Sequence, residues 1–181
     1  SAIAKEKLNG KLLCCHEGGY STFRTDLTDA LDAENLLEIS VDNSPNSFVY
    51  PQKADFTFYG GIYRDVRLIV VPEVHFDLDY FGAPGISVIP EISVRPESAG
   101  ADANVCVRTY VKGNASSVIV TVDGFSSVAA KKLGEECWEA CLHIPDVHLW
   151  HGRIDPYLYH ATAELMVDGQ AVDAVETDFG C

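Results

Sequence analysis

The side chains able to carry chemistry are thinly spread along this chain. Arg64-Asp65 sets a fixed cation beside a carboxylate within one dipeptide. Cys137, Glu139, Cys141 and His143 recur at every second position, so an extended segment would present all four on one face and invite a zinc site. A strand offers only neighbouring rungs, whereas tetrahedral sites usually draw ligands from turns, so no metal is expected there. His148, His151 and His160 fall close together without a repeated ligand spacing. Trp150 and Tyr159 could stack on a planar ligand, but aromatics in alternating strands usually face inward, and both are expected in the core. No nucleophile elbow, dinucleotide-binding glycine pattern or phosphate-binding loop occurs.

The elements that must position these residues read as strands. Leu37, Ile39 and Val41 alternate with polar residues, and Leu27 to Leu31 can form one helical turn capped by Thr25 or Asp26. An aromatic segment from Phe56, the Gly60-Gly61 break and Val66 to Val71 predict strand, turn, strand. In the second half Val105, Val107, Thr109 and Val111 share a face opposite Cys106, Arg108 and Tyr110. Val118 to Val122, ended by Asp123-Gly124, makes a further strand, and Trp138, Ala140, Leu142 and Ile144 alternate in another. Tyr159, Ala161, Ala163, Leu165 and Val167 point one way, and Asp168-Gly169 then signals a two-residue hairpin into Gln170 to Phe179. With Ile86 to Ile89 and Glu91 to Val94, the count and spacing predict an immunoglobulin-like sandwich. The boundary between domains is expected between Val71 and Gly85, where Pro72, Pro84 and Gly85 interrupt the alternation.

Composition narrows the function classes. The 181 residues carry 27 acidic and 13 basic side chains, a net charge of −14 that repels phosphate backbones and anionic membranes. Neither nucleic acid nor membrane is an expected partner, and no segment approaches the roughly 20 apolar residues of a membrane span. The chain is too large to depend on disulfides, and adjacent Cys14 and Cys15 suit no common framework. The six cysteines are therefore expected as free thiols in a reducing, cytoplasmic setting. There is no starting Met, and the natural chain is expected to begin earlier.

The distinctive stretch runs Val41-Asp42-Asn43-Ser44-Pro45, Tyr50-Pro51-Gln52 and Asp55-Phe56-Thr57-Phe58-Tyr59-Gly60-Gly61-Ile62-Tyr63-Arg64-Asp65-Val66. Asp42 to Pro45 are turn formers that end a strand, and on spacing alone the aromatics read as packing. The order Asn9-Gly10, Gly18-Gly19-Tyr20-Ser21, Phe23, Asp26-Leu27-Thr28, Glu34-Asn35-Leu36, Val41-Asp42-Asn43 and Gly61 to Val66 resembles the sugar-binding jelly-roll domain of glycoside hydrolase family 2. Leu149-Trp150, Pro156 and Leu158-Tyr159 resemble the motif of the family's immunoglobulin-like domain. The resemblance covers nearly the whole chain. It implies an all-β fold in which residues 1–73 are the C-terminal part of the jelly-roll domain and residues 74–181 the immunoglobulin-like sandwich.

The resemblance further implies a parent enzyme that hydrolyses terminal β-linked sugars by retaining double displacement, with these domains supporting a catalytic barrel expected after Cys181. Both catalytic glutamates would lie in that barrel, so this piece is expected to be inactive. Retaining enzymes need two carboxyls about 5–5.5 Å apart across the scissile bond. Adjacent Glu135-Glu136 cannot bracket a sugar, and Glu17, Glu34, Glu91 and Glu97 have no evident cleft. In β-galactosidase-like members the Asp of Gly-Ile-Tyr-Arg-Asp, here Asp65, helps hold a sodium ion and the sugar at the barrel's mouth. Glucuronidase-like members lack it, which tilts the expectation toward a β-galactosidase. The competing reading of Asp65 is pairing with an Arg or capping a turn. Sodium, and magnesium, are expected only in the intact enzyme. Expected partners are the barrel, a carbohydrate substrate and a further copy in a homo-oligomer. The rival is a stand-alone carbohydrate- or protein-binding sandwich module.

Overall fold

The computed structural model describes residues 2–47, 59–96 and 100–181, and these form two compact units, Ser1–Leu68 and Ile69–Cys181. The predicted Phe56 strand, Tyr50-Pro51-Gln52 and Glu97 lie outside the described residues.

In the first unit, strands β1 (Ile3–Leu8), β2 (Lys11–Glu17) and β3 (Leu37–Asp42) make one antiparallel sheet in the order β2-β1-β3. Asn9 and Gly10, at φ 52° and 81°, turn β1 into β2, a conformation that favours Asn and Gly. Asn9 also ties the hairpin to the segment before β3. Its Oδ1 accepts from Leu36 N (2.8 Å), and its Nδ2 donates to Asn35 Oδ1 (3.1 Å). The short turn expected near Leu27 is a 3-10 turn over Thr28–Ala30, and Asp26 Oδ1 accepts from Thr28 N (2.9 Å). Asp42 ends β3 by accepting from both Ser44 N (2.7 Å) and Ser44 Oγ (2.5 Å). These bonds lower its pKa by favouring the charged carboxylate. Among the described residues this sheet buries only Ala2, Ala4 and Leu8, and neither β2 nor β3 has a further strand beside it.

The strand predicted over Val66 to Val71 does not form. Val66, Leu68 and Val70 are 57%, 76% and 85% exposed. An extended segment becomes a strand only when a neighbour completes its ladder, and no described strand does so.

The second unit is an immunoglobulin-like two-sheet sandwich. Strands β4 (His75–Phe76) and β5 (Ile86–Val94) occupy one edge of β6 (Ala101–Lys112). On its other side β6 pairs with β10 (Cys137–Ile144), which pairs with β9 (Lys131–Lys132). The facing sheet runs β12 (Gln170–Phe179), β11 (Tyr159–Val167), β7 (Ser117–Val122), β8 (Val128–Ala129). The two segments read separately around Pro90 are one strand, β5. Proline is tolerated because an edge strand has one side free of ladder bonds.

The alternation places the core as predicted. Val105, Val107, Thr109 and Val111 of β6 are at most 2% exposed, and Val118, Val120, Val122, Ala161, Ala163 and Leu165 meet them in one cluster. Thr109 Oγ1 is buried without a partner. Asp168 and Gly169, at φ 50° and 79°, turn β11 into β12 as the hairpin signal required.

Gly85 lies where β4, β5 and β6 converge. Its N donates to Asp77 O (2.6 Å), and its O accepts from Tyr110 N (2.9 Å). A Cβ there would stand 2.8 Å from Tyr110 O and 2.9 Å from both Asp77 N and O, all backbone atoms that cannot swing aside. Gly85→Ala is expected to destabilise the second unit by about 1–3 kcal/mol in urea denaturation. Gly134→Ala, where a Cβ meets nothing within 4 Å, should leave it unchanged.

On the outer face of β11 and β12, His160 Nδ1 bonds Asp178 Oδ1 (2.8 Å), and Nε2 approaches Glu176 Oε2 (3.3 Å). Asp178 chiefly, with Glu176, raises the His160 pKa above its ordinary 6.5. A raised folded-state pKa stabilises the fold below the unfolded value, and that contribution is lost as pH rises through the folded value. In NMR titration Asp178→Asn should lower the His160 pKa. The stability difference between the two proteins should shrink on moving from acidic to alkaline pH, and an unmoved pKa would refute the pairing.

Candidate functional site

Three places hold the residues singled out for chemistry. The first is the irregular segment after Tyr59. Asp65 is 74% exposed at its side chain, and its Oδ2 accepts from Arg67 Nη2 at 2.9 Å. Arg64 turns away, its Nη1 donating to Tyr20 O at 3.4 Å while its guanidinium lies 5.9 Å from the Tyr63 ring centre. No group of three His, Cys, Asp or Glu ligand atoms gathers around Asp65 among the described residues. Asp65 brings one carboxylate, an oxygen of which is bonded to Arg67, whereas hard cations such as sodium collect several oxygens.

The second is the loop between β10 and β11. His148 Nε2 bonds Asp155 Oδ2 at 2.6 Å, and its ring stacks on Tyr157 at 4.1 Å with planes 4° apart. His148 N donates to the Tyr159 hydroxyl at 2.8 Å. Tyr159 is 8% exposed and stacks on Phe179 at 5.5 Å, in the core as expected. Trp150 corrects the expectation, because it is 52% exposed. It lies in a loop rather than a strand, so alternation says nothing about where it points. Its N donates to Cys181 O (2.7 Å), and its side chain lies against Gly180, where a Cβ would stand 3.0 Å from Trp150 Cβ. Leu149, Ile154, Tyr157 and Leu158 are exposed beside it in sequence, giving this loop an apolar surface.

The third is the outward face of β6 and β10. Cys106 and Cys141 are register partners and form a disulfide with Cα atoms 4.1 Å apart, which overturns the expectation that every cysteine is free. Sequence reasoning put both residues on outward faces but could not set them opposite one another without the strand pairing. Cys14, Cys15, Cys137 and Cys181 are free. On the next rung Arg108 Nε donates to Glu139 Oε2 at 2.6 Å, a bond that raises the guanidinium's pKa. On the other side His143 Nδ1 bonds Asn104 Oδ1 at 3.0 Å. Farther along, Tyr110 stacks on Tyr80 at 3.9 Å with the hydroxyls 2.8 Å apart. That bond, with burial, pushes the Tyr110 pKa up to about 12. Lys112 completes the face, bonded to Glu136 at 2.8 Å.

None of the described glutamates is buried. Glu136, Glu139 and Glu176 are instead engaged by Lys112, Arg108 and His160. No described helix is long and apolar enough to cross a membrane.

Comparison with known proteins adds to this picture of sandwich, exposed loop and unburied described glutamates. The chain is 31% identical to a β-glucuronidase of Bacteroides fragilis over 99% of its own length and 27% of that protein's. It is 26% identical to a β-galactosidase of Thermoanaerobacter pseudethanolicus over 94% of this chain and 23% of that one. Among solved structures it superposes on the β-glucuronidase of Bacteroides uniformis with a TM-score of 0.82 and 27% identity, covering 98% of this chain and 23% of that one. The chain thus spans about a quarter of the length of the proteins it matches. The model of glycosyl hydrolases family 2 matches residues 87–181, more than half of the sequence, and the chain belongs to that family.

Proposed function

We propose that these two units are the non-catalytic part of a retaining family 2 β-glycosidase, that they support its catalytic barrel, and that they are inactive alone. The observation that carries the proposal is the Leu149 to Leu158 loop. Trp150 is held by Cys181 O and Gly180 yet keeps half its surface open, and Ile154 is 82% exposed. Fixed, exposed apolar side chains are the usual mark of a surface that another folded body covers. The lack of any buried described glutamate supports placing the reacting carboxyls elsewhere in the parent chain.

For the substrate, Asp65 supports a β-galactoside. Its exposed carboxylate can exchange Arg67 for sugar hydroxyls, because an open ion pair of this kind contributes only about 0–1 kcal/mol. The relatives carry both sugar names, so the assignment rests on Asp65. Sodium and magnesium belong to this proposal only through ligands supplied beyond the described residues, and a homo-oligomer is part of it for the intact enzyme. So is a cytoplasmic location, with four free thiols and a single disulfide on an open face, where cellular thiols can reach it.

An exposed Trp150 also favours a second reading, a binding module that acts alone. Calorimetry separates the two: the first predicts no measurable heat when galactose or lactose is added to this chain, whereas micromolar affinity would establish the module. In the intact enzyme, Asp65→Asn should lower kcat/KM for a nitrophenyl β-galactoside about tenfold or more. An unchanged value, or turnover confined to the β-glucuronide, would remove Asp65 and the galactoside from the proposal.

A further inference from the structure

We propose that Cys106, Glu139 and Cys141 form a redox-gated site for a thiophilic divalent cation of the zinc class, closed as the disulfide and opened by reduction. The inference is independent of the glycosidase reading. It rests on the placement of three donors by two strands.

The Sγ atoms and a Glu139 carboxylate oxygen all lie within 4.8 Å of one another. A tetrahedral zinc site with metal–sulfur bonds of about 2.3 Å spaces its ligand atoms about 3.5–3.8 Å apart. Once reduced, the two sulfurs sit on register partners with Cα atoms 4.1 Å apart, so side-chain rotation can bring them to that spacing. The strands need not move, because β6 and β10 are paired over eight residues of each. The rungs on either side are held by Arg108–Glu139 (2.6 Å) and Asn104–His143 (3.0 Å). Two thiols and a carboxylate are a donor set suited to zinc, which takes sulfur, nitrogen and oxygen ligands. Glu139 gives one oxygen to Arg108 and keeps the other for a cation. Cys141 is exposed, so both reductant and ion can reach the site.

This set differs from the single-strand cluster considered from sequence. There Cys137, Glu139, Cys141 and His143 lie in one file along a single strand, and Cys106 was not among them. Here Cys106 supplies the second sulfur from the neighbouring strand, while the Nδ1 of His143 is engaged by Asn104.

The chemistry balances as follows. A low-molecular-weight thiolate attacks Cys141 Sγ, the S–S bond breaks, and Cys106 leaves as a thiolate that takes up a proton. A second thiol resolves the mixed disulfide, so two thiols are oxidised to one disulfide while Cys106 and Cys141 gain two electrons and two protons. Exposed disulfides are the ones open to such exchange. Cation binding then releases the two thiol protons.

The test uses the full chain, reduced with a phosphine that is then removed anaerobically, and Cd²⁺ as the probe, followed by its ultraviolet thiolate charge-transfer band. The reduced protein should bind one Cd²⁺ more than the oxidised protein, and Zn²⁺ should displace it. Cys141→Ser and Cys106→Ser should each bind no more than the oxidised wild type, which corrects for the four other thiols. Glu139→Gln should still form the disulfide and, once reduced, bind Cd²⁺ about tenfold more weakly. Equal binding by reduced and oxidised protein would overturn the proposal. So would an extra ion retained by Cys141→Ser, or loss of the strand signal in circular dichroism on reduction, which would make the disulfide a purely structural brace.

Discussion

The second unit depends on the apolar contact between β6 and the facing sheet. Val105, Val107, Val111, Val118, Val120, Val122 and Leu165 are all 2% exposed or less. Each such side chain contributes about 1.5–3 kcal/mol by leaving water. The ion pairs on the outer faces, such as Arg108–Glu139 with 43% and 22% of the side chains exposed, are screened by water and contribute far less. The interior therefore decides the fold, and the outer faces carry rows of polar and sulfur groups.

That division explains where chemistry can reside. A residue facing the β6 interior cannot be exposed without cost, so the reactive candidates lie outward, on the Cys106 row, or in the loop of His148 and Trp150. Both are rigid for local reasons: paired strands hold the first, and the bonds of Trp150 to Cys181 and of His148 to Asp155 and Tyr159 hold the second. The first unit is different in kind. A single three-stranded sheet with three buried apolar side chains among its described residues has little interior to organise around. It is shaped instead by turn chemistry: Asn9 stapling Leu36, and Asp42 capping its own strand.

Much of this was legible in the sequence because a strand's side chains alternate with period two. Val105, Trp138 and Tyr159 were assignable to interior faces without knowing their neighbours, and Asp168-Gly169 announced its turn through the positive φ it adopts. The family followed from spaced motifs that serve these turns and loops. Tertiary structure alone decided what depends on which strand lies beside which. Period two fixes a residue's face but not its cross-strand partner, so the Cys106–Cys141 bond was invisible while both residues were correctly placed outward. The same gap let Val66 to Val71 read as a strand although no described ladder receives it, and let Trp150 read as core although its loop has no alternation to turn it inward. Local chemistry sets what a segment can present. Neighbours, brought from far along the chain, set whether it is paired, bonded or left open to water.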